Sequence, residues 1–408
     1  MAIAAVLVKA AAMSLALVAP LVDGESTSAS AGAGRGGDEC LAVPTRLPLH
    51  VRLNNGVTVP RIGFGTAGLG HAAEEAVKLA LAAGYRHIDT AQAQEWYREE
   101  DVGRAIRHVA AAAAGAGDGS SGGAGGWAET LEAGAVEAGS SKSGAGLPHR
   151  ADLIVTTKIH PRDFGPDRIG AMVETSDRNL QGVDLLLLHA PFCWPGSCPE
   201  NPTPWQEGWR ELEKLYSKGA ARAIGVSNFS EGLLRELLEM AKVVPAVVQN
   251  WMDPFHQDRA VRALCTEHGI AYIAYSTLGG QWVHRPSSSP SSQNPLSADP
   301  TLEAVASAHG TSVQAVALSW AMQSGALILP RSSNAARIRD NLRVFVKDVG
   351  GTGTGGSFSA SNNGDAGAGR VDRGCQAGAS GGGASAVEVF LTDAEMTAID
   401  RLDGTIGS

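Results

Sequence analysis

Hydrophobic and polar positions repeat one theme along this chain: a short apolar run of β type, then a stretch with apolar residues at helical spacing. The opening differs. Residues 48–59 (LHVRLNNGVTVP) alternate on both sides of Asn55-Gly56, which predicts a hairpin with a tight turn. IGFGT (62–66) then leads into a helix over 72–83, and RHIDTA (86–91) into one near 100–109. DLIVTTKI (152–159) precedes a helix at about 166–180, and DLLLLHAP (184–191) one at about 205–218. ARAIGVSNF (221–229) is followed by a helix over 231–242, AVVQNWM (246–252) by one over 258–268. AYIAYSTL (271–278) leads through a Ser/Pro-rich loop at 284–298 to helices at 301–308 and 312–323. ALILPRS (326–332) comes last, with a helix over 335–345.

Eight β-then-α units with Val/Ile/Leu-rich strands predict an α/β fold, a parallel sheet covered by helices. Eight is also the number that closes a (β/α)8 TIM barrel; a doubly wound open sheet is the alternative.

Composition changes the picture at three places. Of the 51 glycines in 408 residues, 29 fall within 1–40, 111–150 and 346–386. They follow no three-residue period, which excludes collagen, and a 44% hydrophobic content excludes wholesale disorder. The expected organisation is a targeting-like N-terminal segment at 1–45 and a single barrel at 46–408. The barrel is interrupted by low-complexity insertions at about 111–150, 284–298 and 346–386. Residues 1–22 are almost all apolar with one Lys9, and a polar small-residue stretch follows. That pattern suits a signal for the secretory pathway or an organelle; the competing readings are an uncleaved anchor or an artefactual start, with a cytoplasmic location if the segment is not used. No other stretch is long and apolar enough for a transmembrane helix, so no stable span is expected in the mature chain.

The net charge of −9 comes without a basic stripe, which argues against nucleic-acid binding. Five cysteines are too few to build a disulfide-framed fold of this size. Cys193 and Cys198, in the turn-rich PFCWPGSC, are either a local disulfide or two free thiols, and no histidines at ligand spacing make them a zinc site.

Candidate chemistry sits where the strands end. Asp89, Lys158, His189, Ser227-Asn228, Gln249, Tyr275-Ser276 and Arg331-Ser332-Ser333 close strands two to eight. Each alone has a plain structural reading as a helix cap, surface lysine or core histidine. Seven polar strand ends in register converge on one mouth of a barrel, the face where active sites form.

With those residues in view, the chain resembles the aldo-keto reductases. The likeness runs over roughly 50–110, 150–282 and 299–345, with FLTDAEMTAIDRL (390–402) similar to the family's last helix. It is carried by GYRHIDTA, TTKI, LLLLHAP, AIGVSNF, VVQN, IAYSTL and ILPRSSNAARIRDNL. The resemblance implies a (β/α)8 barrel closed at its base by the N-terminal hairpin, acting as a monomer on a small-molecule carbonyl substrate with NADP(H). It implies a catalytic group of Asp89, Tyr97, Lys158 and His189. Lys158 would favour the Tyr97 phenolate and so lower its pKa, and Asp89 would hold that lysine. Tyr97 would protonate the carbonyl oxygen that His189 polarises. Tyr97 stands eight residues after Asp89, a longer separation than the family shows, with Gln94 in the usual place. Either the loop bulges and Tyr97 still reaches the site, or Trp96 takes that space.

For the cofactor, the resemblance puts Tyr275 against the nicotinamide and Ser227, Asn228 and Gln249 on its carboxamide. Ser276 and Leu278 belong to the same cofactor-facing set. Arg331, Ser332, Arg337, Asp340 and Asn341 match the stretch that grips the adenosine 2′-phosphate and adenine, favouring NADPH over NADH. Gly63–Gly68 also fits the dinucleotide G-x-G-x-x-G pattern, with Asp89 some distance on. That acid would favour a free ribose hydroxyl and contradicts the phosphate-type cluster, so the glycines are read as a decoy.

The expected activity is NADPH-dependent reduction of an aldehyde or ketone to an alcohol. The alternative is an NADP(H)-binding barrel that acts as sensor or scaffold. Phe192, Trp194 and Trp282 could line an apolar pocket. The sequon Asn228-Phe229-Ser230 lies where cofactor should bind and is not expected to be used.

Overall fold

The computed structural model describes residues 49–116, 146–283, 294–343 and 389–406. The segment 1–45, nearly all of the insertion after the second unit, the 346–386 stretch, Cys40 and Cys375 lie outside them.

Strands β1 (His50–Arg52) and β2 (Thr58–Pro60) form the antiparallel hairpin. Gly56 turns it with φ +90°, which a Cβ disfavours. Eight parallel strands follow: β3 (Phe64–Gly65), β4 (His87–Asp89), β5 (Ile154–Ile159), β6 (Leu185–Leu188), β7 (Ala223–Ser227), β8 (Val247–Trp251), β9 (Ala271–Tyr275) and β10 (Leu327–Ile328). Each pairs with its neighbour in chain order. The first and last also meet: Ile62 bridges Ile328, Gly63 N–H donates to Ile328 O at 2.8 Å, and Gly65 N–H donates to Pro330 O at 3.1 Å. The sheet is therefore a closed barrel, and the open doubly wound alternative falls. Gly63 belongs to this seam. A Cβ there would come within 2.6 Å of both His87 and Leu329, so the glycine serves strand closure.

Helices α1 (Ala73–Ala83), α2 (Glu99–Ala116), α3 (Pro166–Leu180), α4 (Trp205–Ser217), α5 (Glu231–Met240) and α6 (Arg259–Glu267) follow successive strands. After β9 come a short α7 (Gly280–Val283), α8 (Pro300–Ala308) and α9 (Val313–Gln323); after β10 come α10 (Ala335–Arg343) and α11 (Asp393–Asp400). Side-chain caps mark the starts: Ser230, Asp299 and Ser312 each accept a backbone N–H, and Thr392 with Glu395 forms a capping box on α11. α2 runs past the expected end near 109 because Ala110–Ala114 are strong helix formers. The loop expected at 284–298 closes with a short 3-10 turn at Pro295–Ala298.

The period-two alternation of the strands divides their side chains. Outward residues such as Ile88, Val155, Leu186, Ile224 and Val248 pack with Val77, Ile106, Trp209, Leu237 and Leu264 of the helices. Inward residues at the base form a second apolar cluster of Ile154, Leu185, Leu187, Ala223, Val247, Ile273 and Leu327, into which the hairpin inserts Leu53 and Val59. Asn54 and Asn55 fasten the hairpin by donating to the carbonyls of Pro245 and Arg222, at 3.0 and 2.9 Å. The base is thus closed by apolar packing. The next inward positions toward the other end are Asp89, Lys158, His189, Ser227 and Gln249.

Candidate active site

Lys158, at the end of β5, and Asp89, at the end of β4, are both fully buried. Lys158 Nζ donates to Asp89 Oδ1 at 2.6 Å and to Thr90 O at 2.9 Å. Gln249 Nε2 donates to the other carboxylate oxygen at 2.8 Å. A buried charge persists only when paired and hydrogen-bonded, and Asp89 here serves two donors. Burial opposes the Lys158 charge, but Asp89 and Tyr97 together hold its pKa above the ordinary lysine value.

Tyr97 reaches this pair despite its spacing. The β4–α2 loop makes a turn in which the N–H groups of Trp96 and Tyr97 both donate to Ala93 O, and Trp96 O accepts from Gly68 N–H at 2.6 Å. Arg162, in the turn after β5, grips Glu95 of the same loop with two bonds, of 2.9 and 3.1 Å. The extra residues bulge outward with Trp96 exposed. The Tyr97 ring centroid lies 5.1 Å from Lys158 Nζ and 5.7 Å from the His189 ring. Of the two sequence readings of this loop, the one that brings Tyr97 in is the one observed. Burial raises the Tyr97 pKa more than Lys158 lowers it, which corrects the expected net lowering. The phenol is therefore protonated at neutral pH.

His189, just past β6, is buried and its Nδ1 has no hydrogen-bond partner. Burial, then the positive charge of Lys158, holds its pKa well below the ordinary histidine value, so the imidazole is neutral. Trp194 packs edge-on against His189 at 5.1 Å and against Trp96 at 5.0 Å, and tilted against His160 at 5.2 Å. Cys193 and Cys198, on either side of it, are joined as a disulfide. Phe192 is exposed. Trp282 points elsewhere, donating to Asp253 at 2.8 Å beside Trp251 and Phe255.

The remaining strand ends form one connected set. Asn228 Nδ2 donates to His189 O at 2.7 Å and its Oδ1 accepts from the Tyr275 hydroxyl at 2.6 Å, while the Ser227 hydroxyl donates to Gln249 O at 2.7 Å. Asn228 and Ser276 both have left-handed backbones, with φ of 62° and 55°. Non-glycine residues held there on adjacent loops are a usual mark of a functional surface. Leu278 O accepts from Asn294 at 2.6 Å, anchoring the chain after Ser276.

Arg331 follows β10 with an exposed side chain whose Nη1 donates to Ala67 O at 2.6 Å. Gly68 leaves room for it, since a Cβ there would meet the guanidinium at 2.8 Å. Ser332 and Asn334 cap the start of α10, which carries exposed Arg337 and Asp340 and half-buried Asn341 on its first two turns. A helix N-terminus flanked by two arginines after the eighth strand suits a phosphate.

Sequence reasoning missed Glu95, Arg162, His160 and Asp253. Glu95 and Arg162 lie 67 residues apart in two loops, and no local pattern joins them. His160 had a signal: it is two residues past Lys158, the period of an inward strand face. Asp253 accepts from both Trp251 and Trp282, and burial pushes its pKa up to about 6.

Comparison with known proteins shows the family and the fold. The aldo/keto reductase family profile matches residues 126–349. The 9,11-endoperoxide prostaglandin H2 reductase of Trypanosoma cruzi is 31% identical over 299 residues, covering 72% of this chain and 85% of that protein. A glycerol 2-dehydrogenase (NADP(+)) of Hypocrea jecorina is 31% identical over 317 residues, covering 72% and 86%. Among solved structures, a Bombyx mori aldo-keto reductase in complex with NADP superposes with a TM-score of 0.60 at 26% identity, covering 88% of this chain and 93% of that one. The chain belongs to the aldo/keto reductase family.

Proposed function

We propose that this protein is an NADP(H)-dependent reductase of a small aldehyde or ketone. The single observation that carries the reading is the buried Asp89–Lys158 pair with the Tyr97 and His189 rings beside it at the barrel mouth. Relatives whose names include NADP or NADPH support the choice of cofactor.

The residues present fit that cofactor. Arg331, Ser332 and Arg337 at the start of α10 would hold the 2′-phosphate, with Asp340 and Asn341 beside the adenine. Tyr275 would face the nicotinamide, while Ser227, Asn228 and Gln249 would hold its carboxamide and Ser276 and Leu278 would line the remaining path. When bound, the cofactor supplies a hydride to the carbonyl carbon.

The chain's own residues manage the proton. Tyr97 Oη donates its proton to the carbonyl oxygen, and the Lys158 ammonium stabilises the phenolate left behind. Asp89 keeps that ammonium in place and charged. Neutral His189 offers an N–H to the same oxygen without adding a second positive charge beside Lys158. The sensor reading drew its support from the long Asp89–Tyr97 spacing; with Tyr97 against Lys158, that spacing no longer argues for it.

The test is direct. Purified protein should quench NADPH fluorescence and consume NADPH with at least one of a panel of small carbonyls. Protein that binds no NADPH and consumes none would overturn the proposal.

A further inference from the structure

The disulfide in the loop after β6 has no part in the mechanism above. No helix or strand holds the chain between Leu188, which ends β6, and Trp205, which begins α4. Within that span Cys193 and Cys198, five residues apart, close a small covalent ring. Pro195-Gly196 turns the ring, with Gly196 at φ +76°, and Ser197 donates its N–H and its hydroxyl to Trp194 O at 3.0 and 2.9 Å. A ring this short removes little chain entropy from the unfolded state, so it adds less to global stability than a long-range bridge would. What it restrains is local: Trp194, half-buried, lies inside it. That indole meets the His189 ring at 5.1 Å and the Trp96 ring at 5.0 Å, and Trp96 is the residue before Tyr97. One side chain thus touches His189 and the loop that carries Tyr97. Both cysteines are half-buried and stand between exposed Phe192 and exposed Pro199, with Pro195 and Gly196 exposed at the tip, so a reductant can approach.

We propose that the Cys193–Cys198 disulfide is a thiol-exchange site for a protein dithiol, and that its reduction slows the enzyme by releasing Trp194 from His189 and Trp96. A thiolate of the reductant attacks one cysteine sulfur, which breaks the Cys193–Cys198 bond and leaves a mixed disulfide. The second thiol of the reductant then displaces the remaining cysteine. Two electrons and two protons end on Cys193 and Cys198 as thiols, and the reductant leaves as a disulfide. Trp194 is a positioning residue in this scheme, since it acts through His189 and the Tyr97 loop. The controlled activity rests on the reductase reading; the exchange site does not.

Two measurements on the full chain test this, with dithiothreitol as the dithiol. The first compares turnover of NADPH, on a carbonyl the wild type reduces, in protein equilibrated with oxidised or with reduced dithiothreitol. Reduction should lower kcat by about fivefold or more and leave NADPH affinity within about twofold. Cys193→Ser combined with Cys198→Ser should give the low rate in both buffers, which separates this pair from the other cysteines. Trp194→Ala should be slow in both as well, because the ring then has nothing to hold. A double serine variant as fast as the oxidised wild type, or a Trp194→Ala variant that still responds to dithiothreitol, would show the inference to be wrong.

The second uses 19F NMR of protein labelled with 5-fluorotryptophan, without cofactor or carbonyl. The Trp194 line, assigned by its loss in Trp194→Phe, should move when the disulfide is reduced. A line that moves while kcat stays the same in both states makes the bridge structural only and overturns the switch. A line that moves in protein that reduces no carbonyl leaves the exchange site standing and sinks the reductase reading. Turnover with a line that does not move does the reverse.

Discussion

The two ends of this barrel are built from the same strands and opposite chemistry. At the base the inward positions are Ile154, Leu185, Leu187, Val247 and Leu327, sealed by Leu53 and Val59 of the hairpin. Two or four residues further along β5, β6 and β8 the inward positions become Lys158, His189 and Gln249, joined by Asp89 of β4, all buried, all polar. Apolar groups at the base gain by leaving water, whereas the polar groups at the mouth lose hydration and must find partners. They find them only in part, since His189 Nδ1 and His160 Nε2 have none. The comparison teaches that the base stabilises the fold and the mouth draws on that stability to hold reactive groups in place.

The sharpest way to break the comparison is at Lys158. Lys158→Met leaves Asp89 buried beside a single amide donor, so it should abolish turnover and also destabilise the fold by about 3–5 kcal/mol. Adding Asp89→Asn should recover most of that stability and none of the activity, as read by urea unfolding and NADPH consumption. If the double variant is no more stable than the single one, the pair is not what the mouth balances.

Leu53→Ala probes the other end. It should cost about 2–5 kcal/mol of unfolding free energy and leave kcat within twofold, because it empties space in the base and touches nothing at the mouth. A large loss of kcat in protein shown to be folded would join the two ends functionally.

Between them lies His87, inward on β4 and bonded through Nε2 to Thr156 at 2.9 Å. Burial lowers its pKa to about 4. The unfolded chain takes up that proton near pH 6.5 while the folded chain does not. Stability from His87 is therefore present above about 6.5 and lost as pH falls toward 4, up to about 3 kcal/mol. Unfolding measured from pH 7 to 4 should show the decline, and His87→Phe should make it shallower, the remainder coming from the other buried neutral histidines, His189 and His160. A variant with the wild-type slope would remove His87 from the account.

The smallest expected effect is at the Glu95–Arg162 clasp. Both groups are partly exposed, so the pair contributes little to stability, but it holds the loop that carries Tyr97. Arg162→Ala should lower kcat by about three- to tenfold with a melting temperature within about a degree or two of wild type. Unchanged kcat would mean the turn at Ala93 positions Tyr97 unaided.

Much of this was legible in the sequence. Eight βα units, the hairpin at Asn55-Gly56 and the polar strand ends follow from local periodicity, and local periodicity is what the barrel uses. The Asp89–Lys158 pair needed only the strands to lie in order. The reach of Tyr97 was not legible, because it depends on a salt bridge between loops distant in sequence and on how a lengthened loop bulges. The sign of its pKa shift was missed for a related reason: Lys158 is visible in the motif, but the burial that outweighs it is a tertiary property. What the Cys193–Cys198 disulfide holds in place was not legible either, because Trp194 meets a residue as distant in sequence as Trp96.

The most direct test of the central claim compares wild type with Tyr97→Phe, measuring NADPH affinity by fluorescence and turnover on a carbonyl the wild type reduces. The account predicts that affinity stays within about threefold while kcat falls by about a hundredfold or more, since only proton delivery is removed. Turnover that survives the loss of the hydroxyl would contradict it.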